Sequence, residues 1–293
     1  MNEQRKNLAK YIVPAMVSNL GFFILTIVDG MFVGNGIGPD ALGAAIATGA
    51  ANLLGFLVVL SHYILKKGRL RIRRFSFKPS LYQKIILRGA PEMISQFANP
   101  IITFSMNNML ITHLGNTAVN AYSVITYASS LFSSLIWGLA SGLQPLYGAS
   151  YGAKDDKSLK YYFRSGQLIA LIGGVAIFLL TFFAGKPLCA LFGAEAEAIP
   201  IVCSSLPKYC LNYVFAASTV VIASYLFSTK RTPYAITINA CRSVVFNFLC
   251  INFLPLIFGY DFVWYTVTIA EGICFVIALV LRKMSEKNGI VYR

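Results

Sequence analysis

The amino-acid sequence predicts an all-α polytopic membrane protein with about eight transmembrane helices. The chain has 293 residues, of which 57% are hydrophobic and only 12% are charged, and its mean hydropathy is +0.66. A soluble domain of this size cannot bury that much apolar surface. The apolar residues also fall in blocks of about 20, the length at which an α-helix crosses the roughly 30 Å core of a bilayer.

The apolar blocks define eight predicted spans that are separated by more polar gaps. Each block is long enough to cross the bilayer as a helix. The predicted spans cover residues 11–33, 42–65, 88–112, 119–147, 162–184, 207–228, 233–256 and 262–282.

The first and third spans belong to an internal repeat. Residues 14–44 recur without a gap in residues 91–121, and the two copies are identical at eight aligned positions. Each copy has an early proline, about 20 mostly apolar residues and a glycine turn. The repeated unit is therefore a membrane helix with its exit turn. The copies differ at Asp29, which aligns with Met106.

The basic residues predict the topology. All 25 Lys and Arg residues except three lie in the two terminal tails, in the gaps after the second, fourth and sixth spans, or within three residues of the span ends that border these segments. The exceptions are Lys186 and Lys208 in alternate gaps and Arg242 inside a span. Because positively charged loops stay in the cytoplasm, both termini are predicted to be cytoplasmic. The net charge of +14 therefore reflects topology and does not indicate a nucleic-acid partner.

The sequence carries no motif of a known enzyme class. It has no Walker A loop, HExxH or GxSxG motif, so we predict neither a catalytic residue nor a cofactor. The six cysteines form no CxxC pair, and His62 and His113 lack the spacing of metal ligands, so we predict no metal site. The cysteines are expected to act as small hydrophobic residues.

Several segments resemble the multidrug and toxic compound extrusion (MATE) transporters. Residues 144–154, QPLYGASYGAK, are similar to the motif that follows the eighth helix of that family. Residues 28–42 resemble the exit of its first helix, and residues 81–96 resemble the entry into its seventh. Arg242 and residues 264–271 resemble its eleventh and twelfth helices. Together these segments reach across nearly the whole chain.

The resemblance implies a fold and an activity. MATE transporters have two six-helix lobes in a V shape, and they export cationic, amphipathic compounds in exchange for H⁺ or Na⁺. The implied partners are therefore small-molecule cations and the lipid bilayer, and the implied location is the plasma (cytoplasmic) membrane. The sequence makes no prediction of oligomeric state.

The resemblance also implies an internal shortening. Residues 42–65 resemble the sixth helix of the family, so its second to fifth helices are missing from this sequence. The predicted domains are then a partial N-terminal lobe at 1–65, a basic cytoplasmic linker at 66–87, a complete six-helix lobe at 88–285 and a cytoplasmic tail at 286–293. Removing four helices preserves the orientation of every later span.

Asp29 is the candidate for the ion-coupling site. It lies about 6 Å inside the outer end of the first span, where an ionisable group costs several kcal/mol unless it is paired or hydrated. The motif match implies that it binds a proton or Na⁺. The structural alternative is an aspartate at the membrane interface that caps a turn.

Other polar residues inside the spans have weaker signals. Arg242 and Glu271 each lie about 14 Å deep, so adjacent antiparallel helices can pair them, either for transport or only to neutralise buried charge. Five more polar residues can line a cavity or hold helices together by hydrogen bonds. These five are Asn107, Asn108, Tyr122, Tyr127 and Gln144.

The predicted function is MATE-type multidrug efflux by H⁺ or Na⁺ antiport, impaired by the internal shortening. Two other classes fit less of the sequence. One is an inactive membrane remnant, or an interaction partner that docks on an intact transporter. The other is a lipid-precursor flippase of the same superfamily.

The predicted topology can be tested with single cysteines in a cysteine-free background. We expect a membrane-impermeant thiol reagent applied outside cells to label Glu195→Cys and to spare Lys78→Cys. The reason is that residue 78 lies in the basic linker, whereas residue 195 lies in a gap that is poor in basic residues. Labelling of both positions after permeabilisation is the control. Labelling of position 78 alone in intact cells would contradict the eight-span topology.

Overall fold

The structure is a computed structural model of the chain. The structure describes residues 2–35, 79–192 and 195–287, together with isolated positions 49, 53, 57 and 60. For residues 22–35 and most of 81–99 it describes the backbone only. The predicted second span at 42–65 therefore lies, apart from the isolated positions, outside the described residues.

The described chain is helical throughout and contains no strand in these ranges. A π-helical segment, Cys241–Phe246, and a 3₁₀ segment, Tyr260–Tyr265, interrupt the α-helices near the end. The α-helices are α1 (Asn2–Asn35), α2 (Pro79–His113), α3 (Asn116–Gly152), α4 (Asp156–Leu191), α5 (Ile199–Cys210), α6 (Asn212–Ser228), α7 (Thr232–Ala240), α8 (Asn247–Phe258) and α9 (Thr266–Lys287).

Within the described ranges, five helical stretches are long and apolar enough to cross a membrane. They coincide with the fourth to eighth predicted spans, and the first and third predicted spans fall within α1 and α2. The prediction of an all-α polytopic membrane protein is therefore confirmed. The five stretches are Asn116–Gly152, Asp156–Leu191, Ile199–Ser228, Thr232–Phe258 and Tyr260–Glu286.

The turns between spans follow from local chemistry. Gly115 and Gly259 have φ values of 83° and 96°, which a residue without Cβ adopts at no steric cost. Asp155 caps α4, because its Oδ1 accepts hydrogen bonds of 3.1 Å from the backbone amides of Lys157 and Ser158. The hydrogen bonds from Ser158, with a smaller contribution from Lys157, hold the pKa of the Asp155 carboxyl below its usual range.

The chain divides into two compact units, residues 1–23 with 91–293 and residues 24–90. In the first unit α6 is the central helix, since it packs against α3, α4, α7 and α9. The span that contains α6 has 78% of its most apolar stretch buried, against 28% for the span of α4. The outward face of α4 is strongly apolar, and Phe183 is 83% exposed there, as expected of a surface that meets lipid.

Glycines allow three close approaches between helices of this unit. A Cβ added to Gly138 of α3 would lie 2.7 Å from Cα of Met16, and one added to Gly142 would lie 2.6 Å from Cα of Ile12. The two glycines are four residues apart on α3, and the two residues that they contact are four apart on α1. One face of α3 therefore packs directly on the backbone of α1. This contact explains why residues 1–23 group with the later helices.

The third approach joins α4 to the start of α6. A Cβ on Gly174 would lie 2.5 Å from the carbonyl oxygen of Tyr213, whereas a Cβ on the neighbouring Gly173 would meet nothing within 4 Å. The two adjacent glycines of α4 thus have opposite environments. Gly174 is required by packing, and Gly173 is not.

These neighbouring glycines provide a matched test of the packing. We expect Gly174→Ala to destabilise the protein by about 1–3 kcal/mol, because the methyl group must push apart two backbones. Gly173→Ala should leave stability unchanged or raise it by up to about 1 kcal/mol, because alanine is the better helix former. The measurement is thermal unfolding of both purified variants in the same detergent. Equal melting temperatures for the two variants would show that α4 and α6 do not pack as described.

Candidate functional site

Arg242 lies in the π-helical segment Cys241–Phe246, in the middle of the span Thr232–Phe258. The side-chain amide of Asn247 donates a hydrogen bond of 2.6 Å to the backbone carbonyl of Arg242, five residues earlier. Short π-helical turns are rare and occur frequently at functional sites. The segment therefore makes Arg242 a candidate functional residue.

Arg242 forms an ion pair with Glu271 of α9. Its Nε donates to both carboxylate oxygens, at 2.7 Å to Oε1 and 2.9 Å to Oε2. The Glu271 side chain is 5% exposed and the Arg242 side chain is 22% exposed. Each charge compensates the other where neither is well hydrated. Removing one partner from such a pair typically costs about 3–5 kcal/mol, because a buried charge is left alone.

Other polar side chains of the unit bond from helix to helix. The Tyr213 hydroxyl donates to the carbonyl of Ser129 at 2.7 Å and lies 3.2 Å from Oγ of Ser133, so it ties α6 to α3. The Thr268 hydroxyl donates to the carbonyl of Lys208 at 2.9 Å and ties α9 to α5. These bonds hold helices together in surroundings where water cannot replace a lost partner.

The three predicted amide residues occupy different environments. Asn107 is half-buried, and its buried Oδ1 has no hydrogen-bond partner in the described part of the chain. Asn108 and Gln144 are exposed on the surface of the first unit.

The two predicted tyrosines pack against other aromatic rings. Tyr122 is buried, and its ring meets that of Tyr209 edge to face with centroids 6.2 Å apart. Tyr127 is 39% exposed and stacks on Phe192 with centroids 5.1 Å apart. A role of these tyrosines in lining a cavity remains a prediction.

Among the described residues, the structure brings Arg242 and Glu271 together as predicted, whereas the set of five polar residues remains a prediction. The backbone of Asp29 lies within α1, but its side chain is outside the described residues, so its role remains a prediction. Sequence reasoning missed Asn247 and Tyr213. Asn247 could have been noticed as a polar residue in an apolar span, five positions after Arg242. Nothing local distinguishes Tyr213 from the other tyrosines.

The energetic role of the ion pair can be tested with a double-mutant cycle. We expect Arg242→Met to destabilise the protein by about 3–5 kcal/mol, since it leaves the buried Glu271 carboxylate unpaired, and Glu271→Leu to cost less, since Arg242 is partly exposed. The double variant should recover most of that loss, because it buries no charge. Thermal unfolding in detergent measures all four proteins. Simple additivity of the two losses would show that the side chains do not interact.

The chain is similar in sequence to a protein family and to known transporters. A protein-family model described as MatE matches residues 91–252. The chain is 24% identical over 241 residues to the FAD transporter of Shewanella oneidensis, covering 79% of this chain and 52% of that protein. It is 23% identical over 228 residues to the probable multidrug resistance protein NorM of Mannheimia succiniciproducens, covering 75% of this chain and 49% of that protein. The chain thus spans about half the length of these relatives.

Solved structures show the same fold. A crystal structure of MATE in complex with MaL6 aligns with a TM-score of 0.74 at 19% identity, covering 87% of this chain and 58% of that chain. An outward-facing multidrug resistance MATE family transporter of the MOP superfamily aligns with a TM-score of 0.72 at 20% identity, covering 92% and 61%. Since the family model covers more than half of the sequence and the helices follow the same fold, the chain belongs to the multidrug and toxic compound extrusion (MATE) family.

Proposed function

We propose that this protein is a MATE-type efflux transporter that exports cationic, amphipathic compounds in exchange for H⁺ or Na⁺. The observation that carries the proposal is the family match over residues 91–252, which lies within the compact unit built on α6. The relative named a probable multidrug resistance protein supports the substrate class. The segregation of basic residues supports cytoplasmic termini.

Asp29 is proposed as the ion-coupling residue. A carboxylate within a span can be neutralised by H⁺ or Na⁺ taken from outside and can release that ion to the inside. The neutral and charged forms favour different packing of the surrounding helices, and this difference couples ion flow to substrate export. The repeat supports the choice, because Met106 replaces this acid in the second copy.

Glu271 is a weaker candidate for ion coupling. Both of its carboxylate oxygens already accept hydrogen bonds from Nε of Arg242. A carboxylate compensated in this way gains little from a bound cation. We therefore assign Arg242 and Glu271 to holding α9 against the π-helical segment, and we assign the coupling to Asp29.

The internal shortening is proposed to impair transport by the chain alone. In secondary transporters one repeat rocks against the other around a site at their interface. Here the predicted first lobe has two spans and the second has six. Asn108 and Gln144, which are exposed, would lose partners that a full first lobe supplies, at about 1 kcal/mol for each interhelical hydrogen bond.

The test of coupling uses purified chain in proteoliposomes with an imposed pH or Na⁺ gradient. We expect slow, gradient-dependent movement of a fluorescent cationic dye, abolished by Asp29→Asn because an amide cannot exchange H⁺ or Na⁺. Glu3→Gln, an acid-to-amide change at an exposed position of the same helix, is the matched control and should transport normally. Unchanged transport by Asp29→Asn at equal protein levels would remove Asp29 from the mechanism.

Parallel samples test the remaining parts of the proposal. A relative with twelve helices, assayed in the same way, should move the dye much faster. Equal rates would show that the shortening has no effect. FAD replaces the dye in one sample, because one relative is an FAD transporter. Faster movement of FAD than of the dye would overturn the proposal that the substrates are cationic. Movement of neither compound under any gradient would favour a remnant or an interaction partner.

A further inference from the structure

A cavity of about 320 Å³ lies at one end of the bundle, away from Arg242 and Glu271. It is bounded by the start of α3, by α5 and by the 3₁₀ segment Tyr260–Tyr265. The predicted topology places this end outside the membrane, because α3 begins and α5 lies in gaps that are poor in basic residues. The volume is at the small end of the range for ligand-binding pockets.

The cavity wall carries one charge of each sign. Lys208 of α5 and Asp261 of the 3₁₀ segment both line it. Lys208 and Asp261 form no ion pair with each other, and neither takes part in the pairs Arg242–Glu271 and Arg282–Glu286. Their charged groups are thus more than 4.0 Å apart across the cavity. Two opposite charges held apart in one small cavity can be satisfied together by a molecule that carries both.

The backbone holds both charged residues in place. The carbonyl of Lys208 accepts the hydrogen bond from Thr268 of α9, and its ammonium lies 5.8 Å from the centre of the Tyr265 ring. Asp261 lies two residues after Gly259, whose positive φ precedes the 3₁₀ segment. The amide of Phe262 donates a hydrogen bond of 3.0 Å to the Gly259 carbonyl and so closes the first turn around Asp261. The two charges are therefore presented by ordered elements.

The remaining wall offers both hydrogen bonds and apolar contact. Ser205 is 2% exposed and Trp264 is 4% exposed, so both are largely enclosed although both line the cavity. Ser205 lies three residues before Lys208 on α5, so the two residues line the cavity from the same face of that helix. A hydroxyl beside a lysine is suited to a carboxylate. Leu114 and Ile201 provide an apolar side.

We propose that this cavity binds a small zwitterion of the amino-acid type. Its carboxylate meets Lys208 and the Ser205 hydroxyl, its ammonium meets Asp261, and a short aliphatic side chain lies against Leu114 and Ile201. A simple anion would leave Asp261 without a partner and a simple cation would leave Lys208 without one, whereas a zwitterion pairs with both. The site is independent of the proposed export cycle, since its binding requires neither Asp29 nor an ion gradient.

The test measures equilibrium binding to the purified full chain in a neutral detergent. The probes are L-leucine, L-leucinamide, which lacks the carboxylate, and 4-methylpentanoate, which lacks the ammonium. Isothermal titration gives the affinity, and the thermal shift gives an independent reading. We expect leucine to bind at least about tenfold more tightly than either analogue, because only leucine engages both charges.

Two variants assign each charge to its partner. Lys208→Gln should weaken leucine binding about tenfold and leave leucinamide binding unchanged, because leucinamide has no carboxylate to lose. Asp261→Asn should weaken leucine about tenfold and leave 4-methylpentanoate no weaker than before. Lys186→Gln and Glu197→Gln, exposed charges in the same predicted external loops, are matched controls and should bind leucine like the parent.

Three results would overturn the proposal. They are no saturable binding of leucine, equal affinity for leucine and one of its analogues, and undiminished leucine binding by both charge variants. Unliganded melting temperatures check that the variants fold. If Lys208→Gln or Asp261→Asn fails to fold, Lys208→Arg and Asp261→Glu replace them. These keep the charges and should keep leucine tighter than its analogues, so loss of that preference would also contradict the proposal.

Discussion

The close packing of α6 inside the bundle is the constraint on which the rest of the described unit depends. From Ala216 to Leu226 every residue of this helix is buried. In a membrane, burial between helices gains little from the hydrophobic effect, because lipid tails are as apolar as the side chains. Packing and interhelical hydrogen bonds must therefore hold α6. The close approach of Gly174 to the Tyr213 carbonyl is an example of this packing, and the hydrogen bond from Tyr213 to Ser129 is one of these interhelical bonds.

Charged side chains in the interior of this unit find their partners in a different way from those at its ends. Inside, Arg242 and Glu271 compensate each other, and the π-helical segment holds the arginine where it can reach α9. At the predicted cytoplasmic end, the Asp155 carboxylate caps the N-terminus of α4. At the opposite end, Lys208 and Asp261 face one cavity without pairing. Only this last arrangement leaves both charges available to a ligand, since the interior pair satisfies itself.

The contact between α1 and α3 bears on the proposed shortening of the first lobe. Gly138 and Gly142 bring the backbone of α3 against Ile12 and Met16, so the first part of α1 is integrated with the later helices. The start of α1 therefore has a packing partner that does not depend on the second to fifth helices of the family. The exposed Asn108 and Gln144 have no such replacement within the described residues. The described residues thus include a packing partner for the start of α1 but none for Asn108 and Gln144.

Sequence by itself determined the fold class, five spans that the structure confirms, and the family, because span length, charge segregation and the Gln144–Lys154 motif are local properties of the chain. It also placed Arg242 and Glu271 at equal depths, since helical rise converts residue counts into distance. Only the tertiary structure decided that Arg242 bonds to Glu271 through Nε and that Lys208 and Asp261 share a cavity. It also decided that close packing of α4 on α6 requires a glycine at position 174 and not at position 173. These facts depend on which helices become neighbours and on how each is rotated, and apolar periodicity in membrane helices constrains neither, because lipid and protein interior are similarly apolar.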